Sequence, residues 1–253
     1  MQREDQIRKL WDEEAVMRII AITCAYNEEG KIEHVVEKVQ KREVIDEILV
    51  VDDGSFDNTR YKAEKNGATV ISHTQREGAG AGLKTGFRYA LENDFDIIVI
   101  LAGNDKDNPS EISHLIDPIL YENFDFVQGS RYLDGGSYGR MPLYRLIATK
   151  YIHPSLFSLV SGMEITDSTN GFRAFRACIL KDEGINVDQD WLDRYELEPY
   201  LFYKAIKLGY RVKEVPVSKI YPPKDLGYTK MRPILGWWSI LKPLLFLGLG
   251  IRK

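Results

Sequence analysis

The sequence predicts an α/β fold, in which a Rossmann-like, mostly parallel sheet is flanked by helices. Apolar runs that indicate strands lie at residues 19–25, 48–51, 69–71, 97–101 and 124–127. A short apolar run bounded by turn residues is typical of a strand buried on both faces. Helical patterns separate these runs at 31–41, 59–66, 82–93 and 110–121. Strands that alternate with helices predict a doubly wound parallel sheet.

The second half of the chain is less regular. It predicts a helix over 143–161 interrupted by Pro154, a short strand at 172–175, a helix at 195–208 that ends at Gly209, and a strand at 211–217. No repeat or linker divides the chain, so we expect a single domain over residues 1–232. Residues 233–253 form a separate apolar segment at the C-terminus.

That C-terminal segment is apolar apart from Ser239, Lys242 and the final Arg252 and Lys253. It is short for a transmembrane helix, and its tryptophans and cationic residues suit a membrane–water interface. The alternatives are a helix packed on the core and a dimer interface. We expect membrane contact here and leave a homodimer open.

The overall composition excludes several classes of protein. A chain of 253 residues with 44% hydrophobic and 28% charged residues is an ordinary globular protein, and its net charge of −4 gives no general case for nucleic acid binding. The four histidines show no metal-ligand spacing. The N-terminus, MQREDQIRKLWDEE, does not resemble a signal peptide, so we expect a cytoplasmic catalytic face.

The most informative stretch is ILVVDDGSFDNT at residues 48–59. Ligands of open α/β sheets bind at the carboxyl ends of the strands, where Asp52 and Asp53 would lie, and Gly54 permits a sharp turn there. Two carboxylates suit the ring N–H and ribose hydroxyls of a nucleoside. The alternative is that they only cap the turn and the following helix.

Eight motifs in order form a set: AYNEE at 25–29, VVDDGS at 50–55, GAGAGLKTGF at 78–87, GSRY at 129–132, DSTNGFRAF at 167–175, YELE at 195–198, EVPV at 214–217 and GYTKM at 227–231. With this set the chain resembles the family 2 glycosyltransferases of GT-A fold, and most closely their dolichol-phosphate mannose synthase and polyprenyl-phosphate glycosyltransferase branch. The resemblance covers nearly the whole chain.

The resemblance implies roles for the matching residues. On the donor side, the nucleoside would contact Tyr26, Asn27, Glu28, Asp52 and Asp53, and Lys230 would belong to a mobile basic loop over the donor. On the acceptor side, Arg131 is implied to bind phosphate, with Arg173 second.

One motif departs from the family pattern. The family carries an Asp-x-Asp motif after the fourth strand, whose second aspartate holds a divalent metal on the donor diphosphate; here the motif reads Ala102-Gly103-Asn104. Three alternatives remain: a displaced Mg²⁺ or Mn²⁺ site, a cation that replaces the metal, or lost catalysis. The displaced site would use Asn104, Asp105 and Asp107, and the replacing cation would be Lys106.

The resemblance implies an inverting glycosyltransferase that moves a sugar from a nucleotide-diphosphate sugar to an acceptor. We expect polyprenyl phosphate, at the cytoplasmic membrane surface. A phosphate is ionised at neutral pH and needs no strong base, whereas a sugar hydroxyl would need one, from Asp167, Glu196 or Glu198. The other readings are transfer to a sugar hydroxyl in glycan assembly and a catalytically impaired nucleotide-sugar binding protein.

Overall fold

The computed structural model describes residues 17–221 and 233–251. Its strands confirm the predicted pattern, with boundaries shifted by up to three residues. They are β1 (Ile19–Ala25), β2 (Glu47–Asp52), β3 (Thr69–Ser72), β4 (Ile97–Ala102), β5 (Phe126–Ser130), β6 (Ser137–Gly139), β7 (Arg173–Arg176), β8 (Val212–Pro216) and β9 (Ser218–Ile220).

The helices follow the amphipathic segments. They are α1 (Ile32–Gln40), α2 (Thr59–Lys65), α3 (Ala79–Glu92), α4 (Ile112–Tyr121), α5 (Leu143–Ile147), α6 (His153–Ser161), α7 (Leu197–Lys207) and α8 (Pro233–Gly248). A π-helical turn joins α5 to α6 just before Pro154. Proline lacks a backbone N–H and its ring crowds the preceding turn, which accounts for the predicted interruption.

A seven-stranded sheet organises the chain in the order β3-β2-β1-β4-β7-β5-β8. Strand β7 runs antiparallel to both neighbours, and the other pairs in this sheet are parallel. The carboxyl ends of β1, β2 and β4 therefore meet at one edge, as the sequence predicts. A separate pair, β6 with β9, lies beside that edge.

The sheet separates two hydrophobic clusters, as expected for a sheet buried on both faces. One cluster lies under α1 and α4 and contains Ile116 and Ile119, and the other lies under α3, α6 and α7. Helix α3 packs closely on β1, because a Cβ at Gly86 would lie 2.6 Å from Cγ2 of Ile22. That glycine therefore serves helix–sheet packing rather than ligand approach.

The C-terminal helix α8 packs partly on this core. Leu244 and Leu247 are buried, while Trp238, Leu245 and Leu249 are exposed. The Ile240 carbonyl lies 3.3 Å from Nε2 of His153, and the Lys242 ammonium forms an ion pair with Glu196. Within residues 17–221 and 233–251, no helix is long and apolar enough to cross a membrane.

Candidate active site

A cavity of about 330 Å³ opens at the carboxyl ends of β1 and β4. Its walls come from β1 and the residues after it, from the loop after β4, from the start of α3, and from residues 169–171 and 195–198 in the second half. The predicted sheet edge is therefore the edge that carries the cavity. Its charged lining residues are Glu28, Lys31, Asp53, Arg76, Lys106, Arg145, Glu198 and Lys219.

The two aspartates after β2 occupy different positions. Asp53 lines the cavity, and its carboxylate accepts hydrogen bonds from the backbone N–H of Glu77 at 2.7 Å and of Gly78 at 3.0 Å. Asp52 does not line the cavity, and it accepts from Ser55 N and Ser72 Oγ. Asp53 thus holds the start of α3 against the sheet edge, and both predicted donor contacts remain predictions.

The segment after β1 contributes Tyr26 and Glu28 to the cavity wall. The Tyr26 ring lies under the Arg76 guanidinium at 4.3 Å, and Glu28 accepts a hydrogen bond from the Lys31 ammonium at 2.8 Å. Asn27 turns away from the cavity lining, and its side-chain oxygen accepts from Phe56 N. Its φ of 51° lies in the left-handed region, which asparagine tolerates better than most residues.

The loop after β4 turns both of its carboxylates away from the cavity. Asp105 lies against α1, where it accepts from the Lys38 ammonium at 2.8 Å and lies 3.3 Å from Nδ1 of His34. Asp107 is buried, and it accepts from Ala102 N at 2.8 Å and from the Lys219 ammonium. Neither carboxylate lines the cavity.

Asn104 and Lys106, by contrast, both line the cavity. The Asn104 side-chain oxygen is buried, and no described residue gives it a hydrogen-bond partner. The Lys106 ammonium lies 4.7 Å from the centre of the Tyr221 ring, and the described part of the chain gives it no ion pair. Burial, followed by the charges of Lys219 and Arg145, lowers the pKa of Lys106 to about 7. An anion placed beside this lysine would favour its charged form.

A divalent metal does not fit these residues. Mg²⁺ and Mn²⁺ prefer carboxylate, carbonyl and water oxygens. The Asp-x-Asp positions hold Ala102 and Asn104, and among the described residues no group of three histidine, cysteine, aspartate or glutamate side chains could hold a metal ion. The predicted ligands Asp105 and Asp107 would both have to leave a lysine partner to reach the cavity.

The predicted acceptor residues Arg131 and Asp167 pair with each other. The guanidinium donates from Nε and Nη2 to the two carboxylate oxygens at 2.6 and 2.7 Å, and both side chains are almost completely buried. Neither lines the cavity. The pair instead supports the loop that carries Thr169 and Gly171 into the cavity wall, since Arg131 also donates to Thr169 Oγ1 at 2.8 Å.

Of the other acceptor candidates, one lines the cavity and others are paired elsewhere. Glu198 lines the cavity, whereas Glu196 pairs with Lys242. Arg173 is buried, and it donates to the carbonyls of Asn170 and Glu198. The loop containing Lys230 lies outside the described residues.

Sequence reasoning missed several cavity residues: Lys31, Arg76, Tyr195, Lys219 and Tyr221. Arg76 lies just before the glycine-rich start of α3, which was a usable signal. Lys219 and Tyr221 follow the EVPV motif in the sequence. They reach the cavity only because their segment packs against the loop after β4. Ile220 N donates to the Lys106 carbonyl at 2.9 Å and holds this segment against the loop.

A charged cavity at the carboxyl ends of the strands is where open α/β sheets bind their ligands. Comparisons with known proteins identify the family. The family model "Glycosyl transferase family 2" matches residues 20–184. The chain belongs to this family and is a glycosyltransferase.

Two relatives match along most of their length. The chain is 33% identical to a UDP-N-acetylglucosamine–dolichyl-phosphate N-acetylglucosaminyltransferase of Methanococcus voltae, over 92% of this chain and 96% of the relative. It is 31% identical to a polyprenol monophosphomannose synthase of Mycolicibacterium smegmatis, over 85% of this chain and 81% of the relative. These matches confirm the predicted branch of the family.

A solved structure confirms the GT-A fold. Glucosyl-3-phosphoglycerate synthase from Mycobacterium tuberculosis, in complex with Mg²⁺ and UDP, superposes with a TM-score of 0.69 at 22% identity, over 98% of this chain and 84% of that one. The same enzyme has been solved with Mn²⁺ and UDP. This structural neighbour has therefore been solved with a divalent metal and UDP bound.

Proposed function

We propose that this glycosyltransferase transfers a sugar from a nucleotide-diphosphate sugar to a polyprenyl phosphate, with inversion at the anomeric carbon. The names of the relatives from Methanococcus voltae and Mycolicibacterium smegmatis support this class of acceptor. A divalent metal is left out of the proposal, because Ala102 and Asn104 replace the carboxylates of the Asp-x-Asp motif, and Asp105 and Asp107 do not line the cavity.

The cavity suits such a donor in two ways. Asp53 and Glu28 supply carboxylates for the N–H and hydroxyl groups of a nucleoside, and Tyr26 supplies a ring face. Lys106 and Arg145 supply positive charge for the diphosphate. Catalysis would then consist of positioning and of stabilising the leaving diphosphate.

The observation that carries the proposal is the two-sided helical segment α5–α6. Its inner side brings Arg145 into the cavity, where the guanidinium donates to the Tyr221 hydroxyl at 3.2 Å. Its outer side, here called the apolar face, exposes Leu143, Tyr144, Ile147, Tyr151, Ile152, Leu156 and Leu159. A large exposed apolar patch indicates an interaction surface.

The apolar face fits a membrane surface better than another soluble partner. It combines aliphatic side chains with tyrosines, and α8, which packs against α6, carries the exposed Trp238 and Leu245. Aromatic residues of this kind favour the headgroup region. The polyprenyl chain would remain in the lipid while its phosphate enters the cavity. We place the protein peripherally at the cytoplasmic membrane surface.

The reaction needs no general base. A phosphate oxygen of the acceptor forms a bond to the anomeric carbon from the side opposite the leaving group. The bond from that carbon to the donor diphosphate breaks, and the nucleoside diphosphate leaves with the electron pair. The acceptor oxygen is already ionised near neutral pH, so no proton has to be removed.

Turnover tests the proposed reaction. The full chain is incubated with radiolabelled UDP- and GDP-sugars and with polyprenyl phosphate in detergent, and lipid-extractable label is counted. We expect label in the lipid fraction for one donor, and none when a free sugar acceptor replaces the lipid. Transfer to the free sugar alone would support glycan assembly and contradict the proposal, as would donor binding without any transfer.

Vesicle flotation tests the membrane surface. We expect the wild-type chain to float with vesicles of equimolar phosphatidylcholine and phosphatidylglycerol, and Leu143→Ser with Leu159→Ser to abolish flotation. Tyr61→Ser, which changes an exposed aromatic on α2, is the matched control. Unchanged flotation of the double variant, or loss of a dimer in size-exclusion chromatography instead, would contradict membrane docking.

A further inference from the structure

The loop after β4 is held by hydrogen bonds to the end of β4 and to β9. Asp107 accepts hydrogen bonds from Ala102 N at one end of the loop and from the Lys219 ammonium on β9. The Lys106 carbonyl accepts from Ile220 N on the same strand. The backbone on both sides of Lys106 is therefore fixed, and Asp107, a predicted metal ligand, is needed for that purpose.

This arrangement places a cation where the family's metal site would lie. Lys106 stands two residues beyond Asn104 and lines the same cavity, with only 8% of the residue exposed. Lys219 is paired with Asp107, whereas the described residues give Lys106 no ion pair, and the carboxylates of Glu28 and Asp107 act on it only at longer range. A buried ammonium without a close counter-ion is unfavourable in an empty cavity and becomes more favourable when an anion binds beside it.

The neighbouring groups also select an anion. Arg145 lines the cavity and, like Lys106, lies close to the Tyr221 ring, at 5.5 Å. The unpartnered Asn104 oxygen, by contrast, is an acceptor and suits a sugar hydroxyl or a water better than a phosphate. The loop thus offers a fixed positive charge for a diphosphate and a neutral acceptor beside it.

We propose that Lys106, together with Arg145, binds the donor diphosphate in place of a divalent metal, so that this glycosyltransferase binds its donor without a metal ion. The inference rests on the proposed nucleotide-diphosphate-sugar donor and names the group that takes up the charge of its leaving diphosphate. A fixed cation stabilises that charge without rearranging during the reaction.

Calorimetry on the full chain tests this inference. UDP, GDP and their monophosphates are each titrated into the protein, once in the presence of EDTA and once in the presence of MnCl₂. We expect one diphosphate to bind equally well under both conditions. Lys106→Met should weaken the binding of that diphosphate by at least about tenfold, equivalent to about 1.4 kcal/mol. The affinity for the monophosphate should fall much less. Lys65→Met, an exposed lysine on α2, is the matched control, and Lys106→Arg should retain most of the affinity.

The outcomes separate the inference from the proposed function. Diphosphate binding that requires Mn²⁺ in the wild-type chain would overturn the inference and leave the proposed transferase intact. An unchanged affinity in Lys106→Met, with a normal melting curve, would also overturn it. If neither diphosphate binds under either condition, the proposed donor is wrong and the inference falls with it.

Discussion

Buried cations have different partners in two regions of this enzyme. Directly after β5, Arg131 forms a bidentate ion pair with Asp167, and neither side chain lines the cavity. In the loop after β4, Lys106 faces the cavity, and the described residues give it no ion pair. The first cation holds a loop in place, whereas the second is available to a ligand. The comparison shows that the partner of a buried charge decides whether it stabilises the fold or binds the substrate.

The largest expected effect comes from breaking the buried pair. Arg131→Met leaves Asp167 charged and without its partner in the protein interior, which destabilises proteins by about 3–5 kcal/mol. Urea denaturation monitored by tryptophan fluorescence measures the free energy of unfolding. The double variant Arg131→Met with Asp167→Leu should recover much of the loss. A single-variant loss below about 1 kcal/mol would place this pair with ordinary surface ion pairs.

A smaller effect is expected from a buried group that stays neutral. Burial lowers the pKa of His153 to about 4, and the ring contacts Ser168 Oγ and the Ile240 carbonyl, with Asp167 nearby. Above about pH 6.5 the histidine is neutral in both the folded and the unfolded state, so it adds no pH dependence to the free energy of unfolding. Between about pH 6.5 and 4 only the unfolded state takes up the proton. The free energy of unfolding therefore decreases as the pH is lowered, by up to about 3 kcal/mol.

The measurement compares the wild-type chain with His153→Gln at about pH 7.5 and pH 5. Other groups titrate in both proteins, so the difference between the two slopes isolates His153. The variant should lose less stability on acidification. Parallel slopes would mean that His153 is accessible to protons in the folded state.

Restoring the family motif should sharpen the contrast at the loop after β4. Ala102→Asp with Asn104→Asp would add two carboxylates at positions that line the same cavity as Lys106. We expect Mn²⁺ alone to bind this variant, with a gain of at least about tenfold over the wild-type chain, because carboxylates are the ligands this ion prefers. Calorimetry with MnCl₂ measures the gain, and Asp105→Ala should leave it unchanged. Tight Mn²⁺ binding by the wild-type chain would show that its own side chains already hold the metal.

The smallest expected effect is that of Lys106 on stability. Lys106→Met removes a buried charge that has no ion-pair partner among the described residues, so the free energy of unfolding should change by less than about 1 kcal/mol or increase. Thermal melting without nucleotide measures it. A large loss of stability would mean that Lys106, like Arg131, stabilises the fold rather than binds a ligand.

Much of the fold was predictable because its signals are local. The strands β1 to β4 appear as apolar runs between turn residues, and the structure confirms each of them. The order of these elements predicts the parallel sheet, and that sheet places Asp53 and the segment from Tyr26 to Glu28 at one edge. The site could be located in this way because strand ends and the residues that follow them are adjacent in sequence.

The direction of each side chain at that edge was not predictable. Asp105, Lys106 and Asp107 are consecutive, yet they contact α1, the cavity and β9, respectively. Arg131 and Asp167 were each predicted as functional, but they are 36 residues apart in sequence and meet only through the packing of β5 beside the loop before β7. Sequence spacing carries no information about such long-range pairs.

By itself, the sequence determined the α/β fold, the family and the edge of the sheet that carries the site, because apolar periodicity and ordered motifs act over short distances. Only the tertiary structure decided which charges are neutralised and which face the cavity. That distinction depends on partners from distant parts of the chain, such as Lys219 for Asp107, and the low dielectric of the interior makes each pairing decisive.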